Sequence, residues 1–215
     1  MVPDGAEDMN SQQCIPVPSV TLGSVGDQDY ELLSQWAAAT PFVYAGGARR
    51  YVGPDDFKSL IEGSRDNFLM VRTRDRRTIG AVSYRTGMYR ASFEIGTMIG
   101  DTTLWQAGFG LEAVIALFSM LFDSEHAHRL EFICGAFNKP AVQACCSGLI
   151  HIEGVLRDYY YFDGTYHDAI IGSILREEYY SMVRPTETVP REEIAEAHRI
   201  LREYLARNPI ILRKD

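Results

Sequence analysis

The order of patterns along the chain predicts an α/β protein built on one mixed, mostly antiparallel sheet with helices on both faces. Three observations carry that prediction. Three β-rich runs follow one another, Phe68 to Thr73, Ile79 to Arg85 and Ala91 to Ile99, which makes a meander. A segment apolar nearly all round, Leu111 to Phe122, then leads to a further strand, Leu130 to Cys134, so that strand should run parallel to its partner. Finally, Gly154 to Phe162 and Thr165 to Leu175 flank Asp163-Gly164, a strong hairpin signal, and the sheet should end antiparallel.

The remaining elements follow in order. Residues 1 to 18 mix Pro, Gly, Ser, Gln and acids without periodicity and read as a flexible lead-in. Val20 to Leu22 starts a strand, and Asp27 is placed to cap a helix through Tyr30, Leu33 and Trp36 that stops by Pro41. A second helix follows Pro54 with Phe57, Leu60 and Ile61 on one face, and the polar turn Arg74 to Arg77 joins the first two meander strands. Asn138 to Cys146 reads as a short helix. Residues 176 to 189, with Arg184-Pro185 and Val189-Pro190, read as a linker. From Arg191 to Arg207, Ile194, Ala197, Ile200, Leu201 and Leu205 recur at helical spacing, an amphipathic helix that needs a surface to cover. The expected organisation is a flexible segment 1–18, one folded domain 19–178, and a linker with C-terminal helix 179–215.

Composition narrows the function classes. A chain of 215 residues, 46% hydrophobic and 23% charged, buries one good core. No run reaches the roughly eighteen apolar residues of a membrane span, and the N-terminus lacks the basic-then-apolar order of a secretory signal, so a cytoplasmic protein without a membrane partner is expected. The cysteines Cys14, Cys134, Cys145 and Cys146 show no paired metal-ligand spacing, no histidine has one either, and no metal is expected. A net charge of -8 disfavours non-specific nucleic-acid binding and suits a cationic or amine-bearing small substrate.

The stretch Met98 to Ala113 places a strand end, a loop with two glycines and a helix start in that order. Amides at a helix N-terminus are unpaired and share the positive end of the dipole, and glycines let the backbone approach a bulky anion, so a phosphate or pyrophosphate suits it. A tight turn that simply packs is the other reading. The Lys-Ser/Thr of a nucleotide-triphosphate loop and the third glycine of a dinucleotide loop are both missing.

Taken together, Phe93-Glu94-Ile95-Gly96, Trp105-Gln106-Ala107-Gly108-Phe109-Gly110-Leu111-Glu112-Ala113, His128-Arg129-Leu130-Glu131, Asn138-Lys139-Pro140-Ala141, Glu153-Gly154-Val155-Leu156-Arg157 and Tyr161 to Asp168 resemble the ribosomal-protein-alanine N-acetyltransferase-like (RimJ/RimL-type) branch of the GNAT superfamily. The resemblance covers residues 20 to 178. It implies a sheet in which two parallel neighbours splay apart, with an acyl-CoA, acetyl-CoA first among them, threaded along the opening. By that resemblance Met98 and Ile99 would meet the pantetheine through main chain, the loop Trp105, Gln106, Ala107, Gly108, Phe109 and Gly110 would hold the pyrophosphate, and Asn138 would meet the pantetheine arm or cap its own helix. Trp36, Phe42 and Tyr44 would lie in the acceptor pocket.

The expected activity is N-acyl transfer to a primary amine of a small metabolite, an antibiotic or a peptide terminus. Glu94 is the candidate base, with Glu131 in reserve; a salt-bridged strand carboxylate is the competing reading of Glu94. Where the family often carries a tyrosine acid, seven residues after the asparagine, this chain has Cys145, either a thiol that reprotonates the leaving thiolate or a buried small hydrophobe. Cys145 and the altered Gly148-Leu149 region leave open another donor: a different acyl-CoA, a carrier-protein thioester or an aminoacyl-tRNA. A non-catalytic coenzyme A-binding module and a homodimer through the C-terminal helix also stay open.

Overall fold

The computed structural model describes residues 19–39, 42, 51–105, 107–183 and 189–208. Strands β1 (Val20–Ser24), β2 (Asn67–Thr73), β3 (Thr78–Thr86), β4 (Ser92–Ile99), β5 (Arg129–Gly135), β6 (His151–Phe162) and β7 (Thr165–Leu175) form one sheet in the order β1-β2-β3-β4-β5-β7-β6. Every pair is antiparallel except β4 with β5. The mixed sheet expected from the meander, the crossover and the hairpin is the one observed. Asp163 and Gly164 both take positive φ, at 52° and 75°, as a two-residue hairpin turn requires.

Helices cover both faces. On one side α1 (Asp29–Ala38) and α2 (Pro54–Glu62) pack Tyr30, Leu33, Ala37, Phe57 and Ile61 onto Met70 and Ala81. On the other, α3 (Phe109–Asp123) buries Leu117, Phe118, Leu121 and Phe122 against Val71, Val82, Phe93, Leu130 and Ile174. A helix this apolar is stable only when enclosed, and its buried residues are fully sequestered.

Two expectations need correction. Asp27 does not cap α1; Gln28 occupies that place without a side-chain bond, and Asp27 instead pairs with Lys58 at 2.7 Å. The capping-type bond belongs to Asp29, whose carboxylate accepts the Gly26 amide at 2.8 Å and Arg72 at 2.9 Å. Residues 176 to 189 do not begin as a linker either. Helix α5 (Arg176–Met182) follows β7, and its Tyr179 is 1% exposed, stacked on Phe122 at 4.8 Å and bonded to the Ser119 hydroxyl at 2.7 Å. The aromatic partners lie on α3, which proximity in sequence does not reveal.

The short helix α4 (Lys139–Ala144) follows β5 and passes into one π turn, Cys145–Leu149, that ends at Gly148 with φ 87°. The chain divides into a compact unit ending at Val183 and a second from Arg184 onward. Within the second, α6 (Arg191–Arg207) is the amphipathic helix expected, and its Ile194, Ile200, Leu201 and Tyr204 are exposed. Among the described residues no helix is long and apolar enough to cross a membrane.

Candidate active site

The site begins where sheet pairing stops. Strands β4 and β5 are paired only through Ser92 with Arg129, Phe93 with Leu130 and Glu94 with Glu131. Beyond that point β4 stays with β3 as far as Ile99, and β5 stays with β7 as far as Gly135. The two strands therefore part, leaving a gap between 95–99 and 132–135. The Gly100 amide donates to the Ile79 carbonyl at 2.9 Å, which fixes the phase of the β3–β4 ladder. Met98 thus faces Ala81 with both main-chain groups, while those of Ile95, Thr97 and Ile99 turn toward the gap. Of the two residues expected to line the pantetheine, Met98 directs its main chain to β3, and the Ile99 amide faces the gap.

The glycine loop lies beyond the end of β4. Trp105 closes it: its indole N–H donates to the Ile99 carbonyl at 2.8 Å and its amide to Thr102 at 3.3 Å. An indole has one donor, so that group of Trp105 is engaged within the protein. The Ala107 amide likewise bonds the Leu104 carbonyl at 3.1 Å. Gln106 lies outside the described residues. Gly108 starts α3 in the left-handed region at φ 84°, with nothing within 4 Å of where a Cβ would stand. The amides of Gly108, Phe109 and Gly110 precede the first intrahelical bond, from Glu112 N–H to the Gly108 carbonyl at 3.1 Å. The positive end of a fifteen-residue helix and an open glycine cradle thus stand at the top of the gap, an arrangement that suits a diphosphate.

At the vertex, one rung of the sheet carries Arg85, Glu94, Glu131, Ser173 and His151 on adjacent strands. Alternation puts Glu94 on the α1/α2 face, opposite Phe93, which is in the α3-side core. Arg85 Nε donates to Glu94 at 2.9 Å, and a second guanidinium nitrogen engages the same oxygen. Glu131 accepts from Arg129 at 3.2 and 3.3 Å. Arg129 also holds both Glu153 oxygens, at 2.8 and 2.6 Å, and Ser173 Oγ at 2.9 Å. The guanidinium and the Ser173 hydroxyl hold the Glu153 carboxyl down at about 2. The salt-bridged reading of Glu94 is therefore the geometry observed, and it places the carboxylate beside the vertex.

Arg85 and Ser173 were not singled out from the sequence, and Arg129 and Glu153 entered there only within the short motifs, without a role in the site. Arg129 and Glu131 stand two apart on one strand with opposite charge, so a period-two reading was the available signal.

The other expected residues distribute unevenly. Cys145 is 4% exposed, and its thiol lies 4.0 Å from that of Cys134 on β5. The hydrogen bond with Cys134 and burial push the Cys145 thiol far up, whereas that same bond lowers Cys134. Cys145 sits as a buried small side chain with its thiol against Cys134, the arrangement its second reading describes. Asn138 caps α4, accepting the Ala141 amide at 3.2 Å. Trp36 covers Gly100, where an added Cβ would stand 2.0 Å from its ring, and Phe42 lines a cavity under α2. Tyr44 lies outside the described residues.

A parted parallel pair with an anion cradle at its open end defines the class. The family model described as an acetyltransferase (GNAT) domain matches residues 20–145, and the chain belongs to that family. It is thereby an acyl-CoA-dependent N-acetyltransferase. A protein of Bacillus licheniformis, described as the uncharacterized N-acetyltransferase p20, is 28% identical over 148 residues, covering 68% of this chain and 82% of that one. The fold is shared with spermidine N-acetyltransferase from Vibrio cholerae, solved with CoA and spermine, at TM-score 0.68 and 18% identity over 75% of this chain and 98% of that one. Ribosomal-protein-S5-alanine acetyltransferase from Vibrio fischeri is similar at TM-score 0.62 and 16% identity, over 75% and 95% of the two chains.

Proposed function

We propose that the protein transfers an acetyl group from acetyl-CoA to the primary amine of a small molecule or peptide terminus, by direct attack. The observation that supports this most is the parting of β4 from β5 just past Glu94 and Glu131, with the main chain of Ile95 and Thr97 and the Ile99 amide turned toward the gap. Ile95, Thr97 and Ile99 offer that wall to a pantetheine arm, and the amides of Gly108 to Gly110 hold the pyrophosphate. Asn138, at the start of α4, borders the same arm.

The bound thioester supplies an electrophilic carbonyl. Glu94, positioned by Arg85, takes the proton from the attacking amine directly or through water, and Glu131 is the alternate base on the neighbouring strand. The developing oxyanion meets a gap-facing amide of β4, that of Thr97 or Ile99. As the carbon–sulfur bond breaks, the thiolate takes a proton from solvent or from the amine-derived pool rather than from Cys145. Within the family, we read the chain as a member of the ribosomal-protein-alanine acetyltransferase branch, because the order and spacing of its short motifs resemble that branch.

The test is thiol release from acetyl-CoA by the purified protein in the presence of a panel of primary amines. Amine-dependent thiol is the expected result. No binding of acetyl-CoA by calorimetry at millimolar concentration rejects the reading.

A further inference from the structure

The α1/α2 face holds a feature the proposed chemistry does not use. Two ladder positions from Arg85 and Glu94, where Ser83 faces Gly96, the sheet and helices line an open cavity of about 200 Å³. Its walls are mostly apolar, with Leu33, Phe42, Phe57, Ile61, Phe68 and Met98 beside the small polar Ser64 and Thr97. Small residues make the floor. At Gly96 an added Cβ would come within 2.8 Å of Ser83 Oγ, so a larger residue there projects into the same space. Leu60, 41% exposed, stands at the rim.

Charge sits at one end only. Among the described residues of the lining Asp66 is the ionisable one, and it lies 3.9 Å from Arg85, which in turn engages Glu94. The polar end of the cavity is therefore the end nearest the vertex of the gap.

On the reading that acyl-CoA occupies that gap, we infer that the acceptor is a primary monoamine carrying a compact apolar body of arylalkyl size. The amine lies toward Glu94 and Asp66, and the apolar body fills the cavity beneath α2. A dry cavity of roughly 150 Å³ holds a benzene-sized ring, so this one admits an aryl group with a short alkyl arm. A polyamine fits poorly. Its second ammonium would lie among Phe42, Phe57 and Phe68 with no carboxylate among the described residues there to meet it, or else beside the Arg85 guanidinium.

The experiment compares 2-phenylethylamine, n-hexylamine and spermidine by thiol release from acetyl-CoA, in the parent protein and in Gly96→Val and Leu60→Ser. Valine suits a strand and fills the floor; Leu60→Ser thins the rim at an exposed position, so at least one variant folds. The expected kcat/KM for 2-phenylethylamine exceeds that for spermidine by about tenfold or more, and each variant lowers that ratio several-fold while acetyl-CoA affinity by calorimetry is unchanged. Spermidine turned over as well as or better than 2-phenylethylamine overturns the inference and leaves the acetyltransferase reading standing. So does a selectivity that neither variant moves, or acetyl-CoA binding with no turnover of either apolar amine. Loss of acetyl-CoA binding in the parent rejects both.

Discussion

Replacing Glu94 with Gln removes one negative charge at the vertex of the gap and leaves the side chain's shape. The structure separates the two consequences. The Glu94 side chain is 36% exposed and Arg85 49%, so their ion pair is a surface one, contributing at most about 1 kcal/mol to stability. For a chain of this size that amounts to a Tm shift of about 2–4 °C or less. General-base assistance, by contrast, is worth roughly 10²- to 10⁴-fold in rate, or about 2.7–5.4 kcal/mol of barrier. Glu94→Gln should therefore lower kcat at least about 100-fold at saturating amine, with melting temperature and acetyl-CoA affinity near the parent values. The assay is thiol release followed by a chromogenic disulfide, beside a thermal melt and a calorimetric titration. A kcat within about threefold of the parent would refute the reasoning. If Glu131→Gln alone shows the large loss, the base is the neighbouring carboxylate.

Gly108→Val forces a β-branched residue into φ 84° and places methyls in the open cradle, so acetyl-CoA affinity should fall tenfold or more by calorimetry, at a stability cost of about 1–2 kcal/mol. Tyr179→Ala should lower stability by about 3–5 kcal/mol in denaturant titrations, because that ring is fully buried between α3 and α5. Glu153, with its carboxyl held at about 2, contributes stability that is present above the ordinary glutamate pKa and is lost as pH falls toward 2. Since its side chain is 34% exposed, solvent screening reduces that contribution to about 1 kcal/mol. Glu153→Gln should be less stable than the parent by that amount at pH 6, and the difference should shrink at pH 3.

Local signals explain what could be read beforehand. The Asp163-Gly164 turn, the period-two strands and the all-apolar helix are fixed by neighbours in sequence, and each is found where those neighbours put it. What was not legible depends on partners brought from afar. The α5 helix looked like linker because Tyr179 finds Phe122 and Ser119 only in the fold. Asp27 resembles a cap in sequence, yet Lys58, 31 residues on, claims it. Register decided the site. Whether Met98 or Ile99 turns its main chain to the gap depends on the phase of the β3–β4 ladder, and a shift of one residue would exchange them. Cys145 illustrates the limit of counting along a motif, since its position matches the tyrosine of similar proteins while its thiol is buried against Cys134.

The account rests on the space between β4 and β5 as the seat of an acyl-CoA, and a crystal structure of the protein with acetyl-CoA tests it most directly. The predicted result is a pantetheine arm bonded to main chain of Ile95, Thr97 or Ile99, its pyrophosphate on the amides of Gly108 to Gly110 and its carbonyl within reach of Glu94. A nucleotide bound elsewhere, with that space closed by protein side chains, would contradict it.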